Sequence, residues 1–276
     1  MAKGNDGNYL QHSMELAVAL LLAKMSTRAS LHLALTHGMA PFERCEPPSG
    51  EARTLLDRAL ETAQNPPTCG ESPIVAAYRA TNASRERYPN AGELLAATIG
   101  RERLSGGIAE TNVQKHASLV EAWSGSSVTP VHSSWRREVR PESTSSLCTA
   151  ARGVLSCPAT LLVPWLFAAD PMTFSEDGYA DDDKLYRADL SRLSTTLKEF
   201  IASGEPGVAA LFVYAVRRDV RPLFWKFADD LGAETGLPAV SCWVPHRGGN
   251  RNLAVLLCSG IVLPPCWLPH GINAGR

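Results

Sequence analysis

The segment Gly207–Val216, GVAALFVYAV, reads as a strand and stands between two helical stretches, Leu185–Ser203 and Pro222–Leu231. The same alternation runs through the rest of the chain. LHLALTH (31–37), RLSGGIAE (103–110), Val128–His132 and the apolar run Trp165–Ala169 read as strands. Tyr9–Met25, Glu51–Ala63, Ile74–Thr81, Ala91–Ile99, Val113–Trp123 and Ser146–Val154 read as helices. Leu10, Met14, Ala17, Val18, Leu21 and Leu22 recur at helical spacing, so the first helix is expected to be amphipathic. Strands alternating with helices predict an α/β fold: a mostly parallel, doubly wound sheet with helices on both faces. The last two strands, Val240–Val244 and Leu253–Ile261, are joined by a loop too short for a parallel crossover. They are expected to form a C-terminal antiparallel hairpin. The length of 276 residues suits one domain, 1–276, with a helical insertion over 40–100.

Ligands of such sheets bind beyond the carboxyl ends of the strands. Two acids stand at expected strand ends. Asp170 follows Trp165–Ala169 and is itself followed by Pro171, which cannot extend a strand ladder. Glu110 closes the strand that contains Gly106 and Gly107. An acid at a strand end either caps the turn or accepts hydrogen bonds from a ligand.

Charge excludes a chain that binds nucleic acid through its whole surface. The formal net charge is −1, with 27 basic and 28 acidic residues, whereas dedicated duplex binders carry a basic surplus. Nucleic-acid contact must therefore come from a local patch. Arg217, Arg218 and Arg221 lie just past the clearest strand, on the side where a substrate would sit. Seven cysteines, an odd number without CxxC spacing, read as buried free thiols in a reducing cytoplasm. The acids Asp177, Asp181, Asp182 and Asp183 lack the spacing of a calcium loop and read as an acidic helix start, so no metal site is expected. No membrane span is evident.

Six segments, in order, resemble the ribosomal RNA adenine-N6 methyltransferases of the large-subunit J type. GNDGNYLQH (4–12) is similar to that family's N-terminal motif, and LTHGMAPFE (35–43) to its Asp-Thr-His-Ala-Gly-x-Gly loop. YPNAGELLAATIGRERLSGGIAETN (88–112) is similar to its Tyr-Pro-Gly-Ser-Pro motif, helix and Glu-ended strand. VTPVHSSW falls at Val-His-x-Gly-Asp, AADPMTF at Asp-Pro-Pro-Tyr, and the tail GGNRNLAVLLCSGIVLPPCW at a Gly-Ser-Gly to Asn-Pro-Pro-Trp hairpin.

The resemblance implies a Rossmann-like methyltransferase fold, S-adenosylmethionine as cofactor, and transfer to an adenine amine in RNA or DNA. It implies that His12, His37 and Glu110 hold the cofactor, with Glu110 on the ribose hydroxyls. It implies that Asp170 and Pro171 orient the amine and that Phe174 stacks on the base. The chain departs from the pattern at Gln11, Leu35, Ala91, Met172 and Thr173, in the turn Gly38-Met39-Ala40-Pro41, and at Ser134-Trp135, where the family has Gly-Asp. These departures keep a second expectation open: a catalytically degenerate methyltransferase-fold protein serving as a binding or partner subunit.

Overall fold

The computed structural model describes residues 5–25, 31–45, 54–65, 71–138, 154–159, 194–196, 198–199, 209–216, 221–245, 251–258 and 271–275. The chain opens with α1 (Asp6–Met25) and β1 (Leu31–Leu35), then a two-residue strand β2 (Phe42–Glu43). Two helices follow, α2 (Leu55–Gln64) and α3 (Pro73–Ala80), then a second short strand, β3 (Tyr88–Pro89), and α4 (Ala91–Ile99). A 3-10 turn at Arg101–Arg103 leads into β4 (Leu104–Ala109), α5 (Val113–Ala122), β5 (Ser127–Val131) and α6 (Trp135–Glu138). Beyond these come β6 (Val154–Ala159), β7 (Ala209–Val216), α7 (Arg221–Thr235), β8 (Ala239–Pro245), β9 (Arg251–Cys258) and β10 (Asn273–Ala274).

Eight strands form one sheet in the order β10-β8-β9-β7-β6-β1-β4-β5. The five from β7 to β5 are mutually parallel. From β1 the chain steps outward through β4 to β5, then returns to β6 on the other side of β1 and continues to β7. The direction of winding therefore reverses between β1 and β6, which opens a crevice beyond their carboxyl ends. The expected antiparallel pair is present, but β9 inserts between β7 and β8 and runs antiparallel to both. The fold is Rossmann-like α/β.

Two sequence expectations change. First, α1 is not amphipathic. Every residue from Asn8 to Ala19 is buried, because the helix packs against β6, β7, β8 and β9 on one side and α2, α3 and α4 on the other. A helix covered on all sides must satisfy its polar groups internally. Ser13 donates to the Tyr9 carbonyl at 2.6 Å and Gln11 to Glu15 at 2.9 Å. Gly7 permits the close approach to β9, since a Cβ there would lie 3.0 Å from Asn252 Oδ1.

Second, the sheet position between β1 and β7 is taken by VLSCPA, Val154–Ala159, where the sequence reading placed the end of a helix at Val154. The anticipated strand Trp165–Ala169 lies outside the described residues. The strand anticipated over 103–110 is present as β4, with the Gly106-Gly107 pair inside it. The strand is paired along its length with β1 and β5, and flanking strands fix a backbone that glycine alone would leave loose.

The three helices between β2 and β4 pack together beside α1. Thr54 caps α2 in a reciprocal box with Asp57. Asp6 accepts the Leu56 amide at 3.2 Å, so the start of α1 also caps α2. Such caps are worth about 1 kcal/mol each.

Candidate functional site

At the carboxyl ends of β1 and β4 the backbone is drawn together by one short loop. The Gly38 amide donates to the Ala109 carbonyl at 2.7 Å. A side chain at Gly38 would meet Leu119 at 2.8 Å and Ile108 at 2.9 Å, so only glycine fits this approach. The next residue, Met39, has φ of 56°, a left-handed conformation that favours glycine. The turn thus keeps the backbone path of a glycine-rich loop while carrying a methionine.

Glu110 fixes that path. Its Oε2 accepts the Met39 amide at 2.8 Å and its Oε1 accepts the Asn112 amide at 2.8 Å. Asn90 holds the other side. It is 1% exposed, donates from Nδ2 to the Gly38 carbonyl at 3.0 Å, and caps α4 by accepting the Glu93 amide at 2.9 Å. The Asn90 amide in turn donates to the Pro41 carbonyl at 3.0 Å. The Ala40 amide donates to Glu43, whose carboxylate pairs with Lys115 at 3.3 Å. Sequence reading did not single out Asn90, although an Asn-x-x-Glu start to a helix was a legible signal.

His37 and Glu110 therefore come together at neighbouring strand ends. His37 is half-buried, with Nδ1 2.7 Å from the Thr36 hydroxyl. A carboxylate offers about four acceptor positions, and the two backbone amides leave acceptor capacity on each Glu110 oxygen. The acceptor set thus fits a ribose diol, whose two hydroxyls would donate to a half-buried carboxylate.

His12 is placed elsewhere, inside the helical layer. It is 1% exposed, lies 2.9 Å from the Tyr88 hydroxyl through Nδ1, and stacks on that ring at 5.6 Å. The Tyr88 hydroxyl meets the Tyr78 hydroxyl at 3.1 Å. Burial pushes the His12 pKa down to about 3, so the ring is neutral. Burial likewise raises both tyrosines, so their protons stay in place. This chain of three buried rings ties α1, α3 and β3 together.

Asp170, Pro171 and Phe174 lie outside the described residues, as do Arg217 and Arg218. Arg221 is half-buried and opens α7. Trp135 is fully buried at the start of α6. Among the described residues no group of three metal-ligating side chains converges.

No family model and no curated protein matches the sequence. Among solved structures, a protein from Legionella pneumophila carrying the family description DUF519 superposes with a TM-score of 0.59 at 11% identity. That match covers 95% of this chain and 87% of the other. The likeness is one of fold. A SAM-dependent methyltransferase of the DUF858 family from Leishmania major covers 61% of each chain at 9% identity, and its TM-score of 0.29 is too low to bear on fold or function.

Proposed function

We propose that the chain is an S-adenosylmethionine-dependent methyltransferase acting on the exocyclic N6 amine of an adenine in nucleic acid, of ribosomal RNA type. One placement carries the reading: an acid and a left-handed turn at the carboxyl ends of β1 and β4, beside the point where the strand order reverses. The antiparallel strand inserted next to β7 also favours a methyltransferase-like, doubly wound sheet. The domain is taken as 1–276, with 40–100 as its helical insertion.

Glu110 holds the ribose hydroxyls of the cofactor and His37 lies beside it. His12 supports the same wall through Tyr88 rather than by contact. When bound, the cofactor supplies a methyl group on an activated sulfonium. The chain's own task is then to aim the amine. Asp170 and the Pro171 carbonyl accept its two hydrogens, Phe174 stacks on the base after it leaves the helix, and Arg217, Arg218 and Arg221 hold the phosphates. Such work belongs in the cytoplasm; among the described residues no helix is long and apolar enough to cross a membrane.

Calorimetric titration with S-adenosylmethionine tests the proposal. Binding is expected, and its absence at millimolar ligand overturns it. Asp170→Ala should abolish transfer to RNA while leaving cofactor affinity intact. A second reading, a non-catalytic partner subunit, is favoured by Met39 standing at the left-handed position and by the buried Trp135. Failure to bind the cofactor would leave that reading in possession.

A further inference from the structure

We infer that Arg251, stacked over the Trp243 ring at the start of β9, is a phosphate-binding site for single-stranded nucleic acid. This deepens the proposed function by adding a substrate contact outside the arginines already named.

Arg251 is the first residue of β9 and pairs with Val216, the last residue of the parallel strand β7. It therefore sits on the carboxyl edge of the sheet, where Arg217 and Arg218 follow in sequence. On the other side of β9, Trp243 lies opposite Leu253, and Arg251 shares the Leu253 face because residues two apart on a strand point the same way. The guanidinium carbon stands 3.7 Å from the Trp243 ring centroid. The Trp243 backbone is flanked by β9 and by β10, through Asn273.

The stack places the guanidinium carbon over the ring, and among the described residues no hydrogen bond or ion pair joins Arg251 to a carboxylate or carbonyl. Arginines elsewhere in the fold show the contrast. Arg87 stacks on Phe42 but donates to the Thr81 carbonyl, and Arg101 stacks on Trp123 but donates to Glu93 and the Ala122 carbonyl. Arg44, Arg79 and Arg85 each pair with a carboxylate. A stacked arginine has already lost most of its rotamer freedom, and its planar fork matches two phosphate oxygens. A fork ordered in advance at a ligand-binding edge, and unpaired among the described residues, suits a phosphodiester better than a diffuse acidic surface, which rewards charge alone.

The test is a fluorescence-anisotropy titration of a short single-stranded RNA, and of DNA of the same sequence, across a salt series. It uses the full chain, Arg251→Ala and Arg251→Lys, with melting temperatures as a check on folding. For Arg251→Ala the slope of log affinity against log salt should fall by about 0.7, the increment for one phosphate contact on a single strand. Arg251→Lys should keep the slope yet bind several-fold more weakly, because the charge remains and the stacked fork is gone. Wild-type slope and affinity in both variants overturns the inference, as does failure of the parent chain to bind either strand at low salt. Cofactor titration of the same proteins separates the two ideas. A changed slope without cofactor binding sinks the transferase reading alone, and cofactor binding with unchanged slope sinks this one alone.

Discussion

Glu110 Oε2 receives the Met39 amide at 2.8 Å, joining residues 71 apart in sequence. The acid read from sequence as a ligand for the cofactor is thus also the clamp on the loop that shapes the site. Glu110→Gln replaces one acceptor by a donor facing a backbone N–H. Stability should fall by about 1–2 kcal/mol, read by urea denaturation. Unchanged stability would mean that the loop is held without it.

Met39→Gly removes the cost of a left-handed side chain. The gain should approach about 1 kcal/mol in the same assay, since strain of that size is typical of non-glycine residues at positive φ. A loss of stability would show that packing of the methionine side chain outweighs the strain.

Asn90→Ala removes a helix cap and the donor to the Gly38 carbonyl at once. The expected cost is about 2–3 kcal/mol, the sum of a lost cap and an unpaired buried carbonyl. Asn90→Asp should restore the cap and not the clamp, giving an intermediate melting temperature.

His12 predicts a pH dependence. Its pKa falls from 6.5 in the unfolded chain to about 3 when buried. Between those values the unfolded state binds the extra proton. Stability from this group is therefore complete above pH 6.5 and declines as pH drops toward 3, by at most about 1.4 kcal/mol per pH unit. His12→Gln should flatten the acid limb of a stability–pH curve. An identical acid limb in that variant would assign the dependence to other groups.

Local signals were read well where backbone chemistry is local. Ala91–Ile99 is a helix over the anticipated residues, and Val113–Ala122 falls one residue short of the anticipated end. α1 defeated the amphipathic expectation because Gln11, His12 and Glu15 are polar yet buried, and only the layer of α2, α3 and α4 over it explains why. The strand Val154–Ala159 was missed because VLSCPA is short and interrupted by Ser156 and Pro158, and only its pairing with β1 and β7 reveals it. In the site, Glu110 and His37 stood out as chemical types at strand ends. The Glu110 clamp and the Asn90 brace were hidden, since each joins segments that share no sequence neighbourhood.

The insertion of β9 between β7 and β8 has a consequence for the order in which the protein can be made. During synthesis, residues 209–216 are available long before their antiparallel partner at 251–258. Until that partner arrives, a full strand edge is bare, and bare edges recruit other chains. A nascent or shortened chain ending before Arg251 leaves both β7 and β8 without it. Such a chain should fall out of solution rather than fold into a smaller version of the same domain.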